Sequence, residues 1–139
     1  MIKIIRLTNR ECLDEVIAIH QEVFPSSIKF NKNDLIWVAI DLQKNNKIVA
    51  YATARVLAKQ RSLKIALCGV TDKYKGQGLQ VRLIKARVAY AKKENLGSVI
   101  TNTVANPTSE NNLIKCKFKL YRPIKFWAGS GSNYWYRNL

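Results

Sequence analysis

Acidic side chains are scarce in this sequence. Nine Asp and Glu stand against 24 Lys and Arg, a net charge of +15. That imbalance attracts polyanions: nucleic acid, an acidic protein surface or a phosphorylated cosubstrate. A basic surface serving solubility alone satisfies the same count. There is one histidine, His20, and the three cysteines, Cys12, Cys68 and Cys116, share no C-x-x-C spacing. An odd, scattered set argues against a disulfide framework and a zinc site, so reduced thiols and no metal are expected. Long apolar runs are also missing. Lys3, Arg6, Arg10 and Glu11 interrupt the opening, so no signal-peptide core forms. Nothing elsewhere approaches the roughly 18 apolar residues of a membrane span. A soluble, cytoplasmic protein without a membrane partner is expected. Gly and Pro number six and three and gather in no linker, repeat or low-complexity tract.

What is present is enough for one core. The chain has 139 residues, 47% hydrophobic and 24% charged, which suits a single globular domain over 1–139 that folds without a partner.

Ile2 to Leu7 reads as a first strand. Thr8 and Glu11 have capping-box spacing, which predicts a helix starting there. Leu13, Val16, Ile17, His20 and Phe24 share one face of it, and Pro25 closes the segment. His20 on that face is read as a packed core histidine, with a catalytic base as the alternative. Pro25 to Asp34 reads as a loop or short irregular helix. Leu35 to Leu42 and Ile48 to Leu57 are strands, joined by a hairpin around Asn45-Asn46, residue types that tolerate positive φ. Leu63 to Val70 follows a basic turn, and three successive antiparallel strands are the simplest assembly. A helix from about Leu79 to Asn95 sets Leu79, Leu83, Ala86 and Tyr90 on a dry face, widened by Ile84, Val88 and Ala91. Arg82, Lys85, Lys92 and Lys93 form its basic face. Ser98 to Val104 is a strand, Asn106 to Lys117 a helix, Phe118 to Ile124 a strand and Tyr134 to Leu139 the last strand. The order β-α-β-β-β-α-β-α-β-β predicts an α/β (α+β) domain: a mixed, mostly antiparallel sheet of about seven strands flanked by helices. The aromatics Phe126, Trp127, Tyr134, Trp135 and Tyr136 read as core and cross-strand packing, or as a stacking platform for bases.

The segment from Val70 to Gln80 stands between a strand and the long helix. Glycines at 76 and 78 let the backbone approach a ligand, and the helix start aims unpaired N–H groups at it. Those donors and the positive helix end favour a phosphate, with Lys73, Lys75 and Arg82 beside it. A plain tight turn is the competing reading. The segment resembles the acyl-CoA loop of the GNAT (GCN5-related N-acetyltransferase) family, Gln/Arg-x-x-Gly-x-Gly/Ala. Lys75, Gly78 and Gln80 fill the three specified positions, with only the glycine strict. Further on, Asn106 and Ser109, then Lys115 and Phe118, resemble the family's Asn-x-x-Ser and Tyr-x-Lys-x-Gly-Phe; Leu113 and Lys117 stand where Tyr and Gly are usual.

The resemblance implies an acetyl-CoA-dependent N-acetyltransferase in which a primary amine attacks the thioester directly. It implies that the strand before the loop and the strand after the long helix splay apart, and that pantetheine inserts between them and pairs with backbone near Cys68 and Val70. Lys75, Gly76, Gln77, Gly78, Leu79 and Gln80 would hold the pyrophosphate, with Asn106 and Ser109 lining the cleft. Asn106 and Ser109 also read simply as an Asn-Pro turn with a serine cap. A backbone N–H would stabilise the oxyanion. No catalytic acid or base is identified. Leu113 replaces the usual tyrosine, Tyr121 is a possible substitute, and Leu63 to Val70 holds no carboxylate. The acceptor, the acyl preference and the oligomeric state are not legible. The alternatives are a degenerate module of this fold that binds CoA or nucleic acid without turnover, and a small nucleic-acid-associated protein.

Overall fold

The computed structural model describes residues 1–26, 29–30 and 32–139. Seven strands form one sheet: β1 (Ile2–Arg6), β2 (Leu35–Asp41), β3 (Lys47–Leu57), β4 (Ser62–Val70), β5 (Ser98–Thr103), β6 (Lys119–Tyr121) and β7 (Asn133–Asn138). Their spatial order is β1-β2-β3-β4-β5-β7-β6. Three helices accompany them: α1 (Leu13–Val23), α2 (Leu79–Lys93) and α3 (Pro107–Lys115). Only β4 and β5 pair in parallel; the other neighbours are antiparallel. The expected mixed, mostly antiparallel sheet is the one found, with α2 making the β4-to-β5 crossover.

Helices cover both faces of β2 and β3, which is why β2 is an unbroken apolar run. Ile36 and Val38 face α1 with Val16, Ile19, Ile48 and Tyr51. Trp37 and Ala39 face α2 with Leu79, Leu83, Ile84, Val88 and Ala91. Asn45 and Asn46 take φ of 56° and 58° in the β2–β3 hairpin, and Arg61 takes 50° before β4. The terminal aromatics pack among themselves: Tyr121 meets Tyr134 and Tyr136 edge-on, and Phe126 stacks on Tyr134 at 5.8 Å.

Several expectations fail locally. Thr8 and Glu11 form no capping box. The Glu11 N–H donates to Asn9 Oδ1, and α1 begins later, after Cys12, without a side-chain cap. The strand expected from Phe118 to Ile124 shrinks to Lys119–Tyr121, because Lys117 turns left-handed at φ 69° to close α3 and Phe118 is drawn into the core. On α2, Ala86 and Tyr90 are only half-buried, while Arg87, assigned to neither face, is 1% exposed. Of the Pro25 to Asp34 segment, positions 27, 28 and 31 lie outside the described residues. Among the described residues no helix is long and apolar enough to cross a membrane, and no group of His, Cys, Asp and Glu could hold a metal ion.

Candidate active site

The sheet opens where β4 leaves β5. The two strands pair only at Ser62–Lys64 with Ser98–Ile100. At the point where the ladder stops, the Thr101 hydroxyl donates to the Ile65 carbonyl at 2.9 Å. Beyond it the strands diverge. The cause lies on the other edge of β4: the β3–β4 register slips between Ala52, opposite Cys68, and Ala54, opposite Ile65. Such a bulge bends its strand and leaves ladder groups without partners. Side chains take these over. The Leu67 N–H donates to Thr53 Oγ1 at 3.1 Å, and Arg87 reaches from α2 to donate from Nη1 to the Thr53 carbonyl at 3.0 Å, its Nε held by the Leu83 carbonyl. The resulting cleft of about 430 Å³ is walled by Ile65–Cys68 and Thr101–Val104, with Ile84, Arg87 and Leu113 among the residues closing it.

Next to the cleft, the chain passes from β4 through a short 3-10 turn, Asp72–Tyr74, into the start of α2. Gly76 and Gly78 take φ of 77° and 76°, conformations that cost a residue with a Cβ roughly 1 kcal/mol or more. A Cβ added to either glycine meets nothing within 4 Å, so the space beside this backbone is open. Gly78 is the N-cap of α2 and no side chain caps that end, which leaves first-turn N–H groups for a ligand. Val70, Lys75, Gly76, Gly78, Asn106 and Lys115 are among the residues around a groove of about 560 Å³ that shares Phe24, Cys68, Gln80, Asn106 and Ser109 with the cleft. The structure thus brings nine of the ten sequence-predicted binding residues to one continuous surface. Gln77 is exposed and lines neither hollow, and Leu79 borders the groove while being almost wholly buried in the core.

Gln80 stands where a small residue is usual, and its side chain is occupied. Nε2 donates to Ser109 Oγ at 3.0 Å, and Asn112 donates to its Oε1 at 2.6 Å, tying α2 to α3. Asn106 caps α3 by accepting from the Ser109 N–H at 3.1 Å; the cap is thus the asparagine, not the serine. Lys75 pairs with Asp72 at 2.9 Å on the surface.

One contact anchors the turn. The Tyr74 hydroxyl donates to Asp41 Oδ2 at 2.6 Å, at the end of β2. This bond holds the Asp41 carboxyl below its ordinary value against the opposing effect of burial, and it pushes the Tyr74 phenol up. A depressed carboxyl stabilises the fold above the ordinary Asp value of about 3.9, and its contribution disappears as pH falls through the folded value. Tyr74→Phe is therefore expected to lower stability at neutral pH, with the gap to the parent closing below about pH 4. It is also expected to weaken acetyl-CoA binding by roughly three- to tenfold. Urea titrations from pH 2 to 7, with calorimetry at pH 7, check both; a gap unchanged down to pH 2 contradicts the assignment.

The side chains considered for proton transfer are elsewhere. His20 is buried on the core face of α1, its Nδ1 against the Tyr51 hydroxyl, in line with a packed histidine. Burial pushes the Tyr51 phenol up, so it stays neutral. Tyr121 lines a separate pocket near the β6–β7 connection and accepts from Trp127 Nε1, so it does not serve the cleft. Burial also pushes the Cys68 thiol up, opposed in part by the Arg87 cation. Leu113 lines the cleft and is also a core residue, 4% exposed. Sequence reasoning missed Arg87, Thr53 and Tyr74; a lone arginine amid the apolar positions of α2 was the available signal for the first.

Residues 4–118 match the profile of the Acetyltransferase (GNAT) family. No curated protein matches the sequence. Among solved structures, the ribosomal-protein-S18-alanine N-acetyltransferase from Escherichia coli superposes with a TM-score of 0.79 at 16% identity, covering 99% of this chain and 94% of that one. An acetyltransferase of the GNAT family from Staphylococcus aureus Mu50 gives 0.78 at 17%, with 99% of each chain covered. Arabidopsis thaliana NAA60 in complex with a bisubstrate analogue gives 0.77 at 19%, with 98% of each covered.

Proposed function

The chain belongs to the GNAT acetyltransferase family, and on that premise we propose that it transfers an acetyl group from acetyl-CoA to a primary amine by direct attack in a ternary complex. The observation that carries this reading is the junction of the β4–β5 cleft with an uncapped helix start bearing two left-handed glycines. That junction suits a long ligand with a diphosphate at one end and an uncharged arm at the other. Acetyl-CoA supplies the activated thioester: the amine nitrogen forms a bond to the acetyl carbon, the C–S bond breaks, and the thiol leaves with the amine's proton.

The chain's own groups orient these partners. N–H groups from Gly76 to Gln80 hold the diphosphate, helped by the Lys75 charge. Backbone at Cys68 and Val70 pairs with the arm, while Asn106 and Ser109 form the opposite wall. The bulge in β4 offers an N–H to the developing oxyanion, an electrostatic role that needs no side chain. Leu67's N–H is taken by Thr53, so that role falls to a neighbouring amide. With its pKa pushed up, Cys68 is a poor nucleophile, which supports direct transfer over an acyl-cysteine. Among the described residues no carboxylate lines the cleft; water relays the amine proton to the departing thiolate, which leaves without a side-chain acid because its conjugate thiol has a pKa of only about 8.5.

The test is release of CoA thiol from acetyl-CoA across a panel of small amines, aminoacyl compounds and peptides. Peptides with N-terminal alanine belong in it, given the name of the Escherichia coli protein. At least one amine is expected to accelerate release, and Cys68→Ala is expected to keep that activity. Binding without amine-dependent release would favour a module that holds CoA without turnover, the reading to which Leu113 in place of tyrosine lends its support. Leu113→Tyr probes that position. Its burial predicts overpacking, a loss of about 1 to 3 kcal/mol. If the cleft lacks only an acid, turnover rises nonetheless, by up to about 10²-fold. Paired melting and thiol-release assays check both; a destabilised variant with no gain in rate removes the proton-donor role from position 113.

A further inference from the structure

The basic charge is unevenly distributed. Helix α1 carries Asp14, Glu15 and Glu22, whereas α2 has no Asp or Glu, and none follows Glu110 in the chain. On the α2 side, away from the first-turn anion site, lies a second groove of about 370 Å³ lined by Lys85, Lys92, Lys115, Lys117 and Arg137, over a floor of Val88, Ala89 and Cys116. Among the described residues no carboxylate lines it, and among them none of the five cations is ion-paired. Arg137 is anchored by donating from Nη1 to the Cys116 carbonyl at 3.0 Å, and the charges of Lys85, Arg137 and Lys115 all bear on the Cys116 thiol. This is convergence, not a uniformly basic surface.

We propose that this groove is a docking site for the phosphate backbone of a nucleic acid. Lys85 and Lys92 lie seven residues apart on α2, about 10 Å at 1.5 Å per residue. The cations therefore spread over more than one phosphate, as a repeating polyanion requires. Four of the five are lysines, point charges that contact phosphate without the fixed fork that reads base edges, so binding is largely independent of sequence. Lys115 borders both this groove and the cofactor groove, so a strand lying here passes beside the acyl-CoA seat. The proposal does not depend on turnover and stands or falls separately from it.

The test titrates the parent protein, Lys85→Glu/Lys92→Glu and Lys117→Gly with tRNA, single-stranded RNA and duplex DNA at several salt concentrations. Lys117 holds a left-handed φ of 69°, so glycine there removes a charge while relieving backbone strain, and a folding defect cannot mimic the expected loss. The parent is expected to bind at low salt with a log–log slope of about −0.9 per phosphate neutralised on duplex DNA. Affinity should fall at least roughly tenfold in the double variant and severalfold in Lys117→Gly, with the slope shallower by about one for each lost contact. Acetyl-CoA affinity should stay at the parental value in both variants. Whether RNA or DNA binds more tightly identifies the natural source. No binding at low salt, binding equal in the variants, or tighter capture of poly-glutamate than of any nucleic acid would overturn the proposal.

Discussion

Gly78→Asp is expected to weaken acetyl-CoA binding by at least about 100-fold, the largest effect available from one residue in the loop. Two causes add. The position holds φ 76°, which a side chain adopts only with strain, although Asp and Asn tolerate it better than most residues. The added carboxylate would stand at the uncapped start of α2, in the open space where an anionic diphosphate would lie, and would compete for the same N–H groups. Gly78→Ala separates the two, since it keeps the strain and omits the charge; a smaller loss is expected there. Calorimetric titration of the three proteins, each shown folded by its melting transition, decides. Equal affinity in Gly78→Asp and the parent would mean that the loop does not hold the diphosphate.

Arg87→Ala is expected to lower global stability by about 3 to 5 kcal/mol. The side chain is 1% exposed and spans from α2 to β3, so truncation opens a cavity and leaves the Thr53 carbonyl without its donor at the bulge. Burial of the charge pushes the guanidinium pKa down, which marks a desolvation cost the parent already bears. Arg87→Met keeps most of the volume and removes that cost. It should be far closer to the parent in stability, yet it should weaken acetyl-CoA binding if the bond to Thr53 keeps β4 bent away from β5. Urea midpoints together with titrations separate these effects. A loss under about 0.5 kcal/mol in Arg87→Ala would show that the arginine does not brace the bulge.

Local patterns made much of the architecture legible. The apolar runs marked β2 and β3, the paired asparagines marked the hairpin between them, and Gly76 and Gly78 between a strand and a helical pattern marked the junction where the backbone is open to a ligand. The site was legible in its loop and far less so in its supports. Arg87 looks like a surface residue by type; its burial depends on Thr53, 34 positions away. Tyr74 and Asp41 are linked across 33 positions by tertiary geometry that periodicity does not encode. Gln80 departs from the usual small residue because α3, carrying Ser109 and Asn112, stands within reach of its amide. The failed capping box has the opposite lesson. Thr8 and Glu11 have the right spacing, but the chain leaving β1 turns through Asn9 before the helix begins.

The central claim is that acyl-CoA occupies the β4–β5 cleft with its diphosphate on the start of α2. Amide hydrogen exchange with and without saturating acetyl-CoA tests this most directly, because it locates the ligand without needing the acceptor. The account predicts slowed exchange in three segments, 66–70, 76–82 and 101–109, with the first two turns of α1 and the β1–β2 edge unchanged. Protection confined to other segments, or none at saturating ligand, would contradict it.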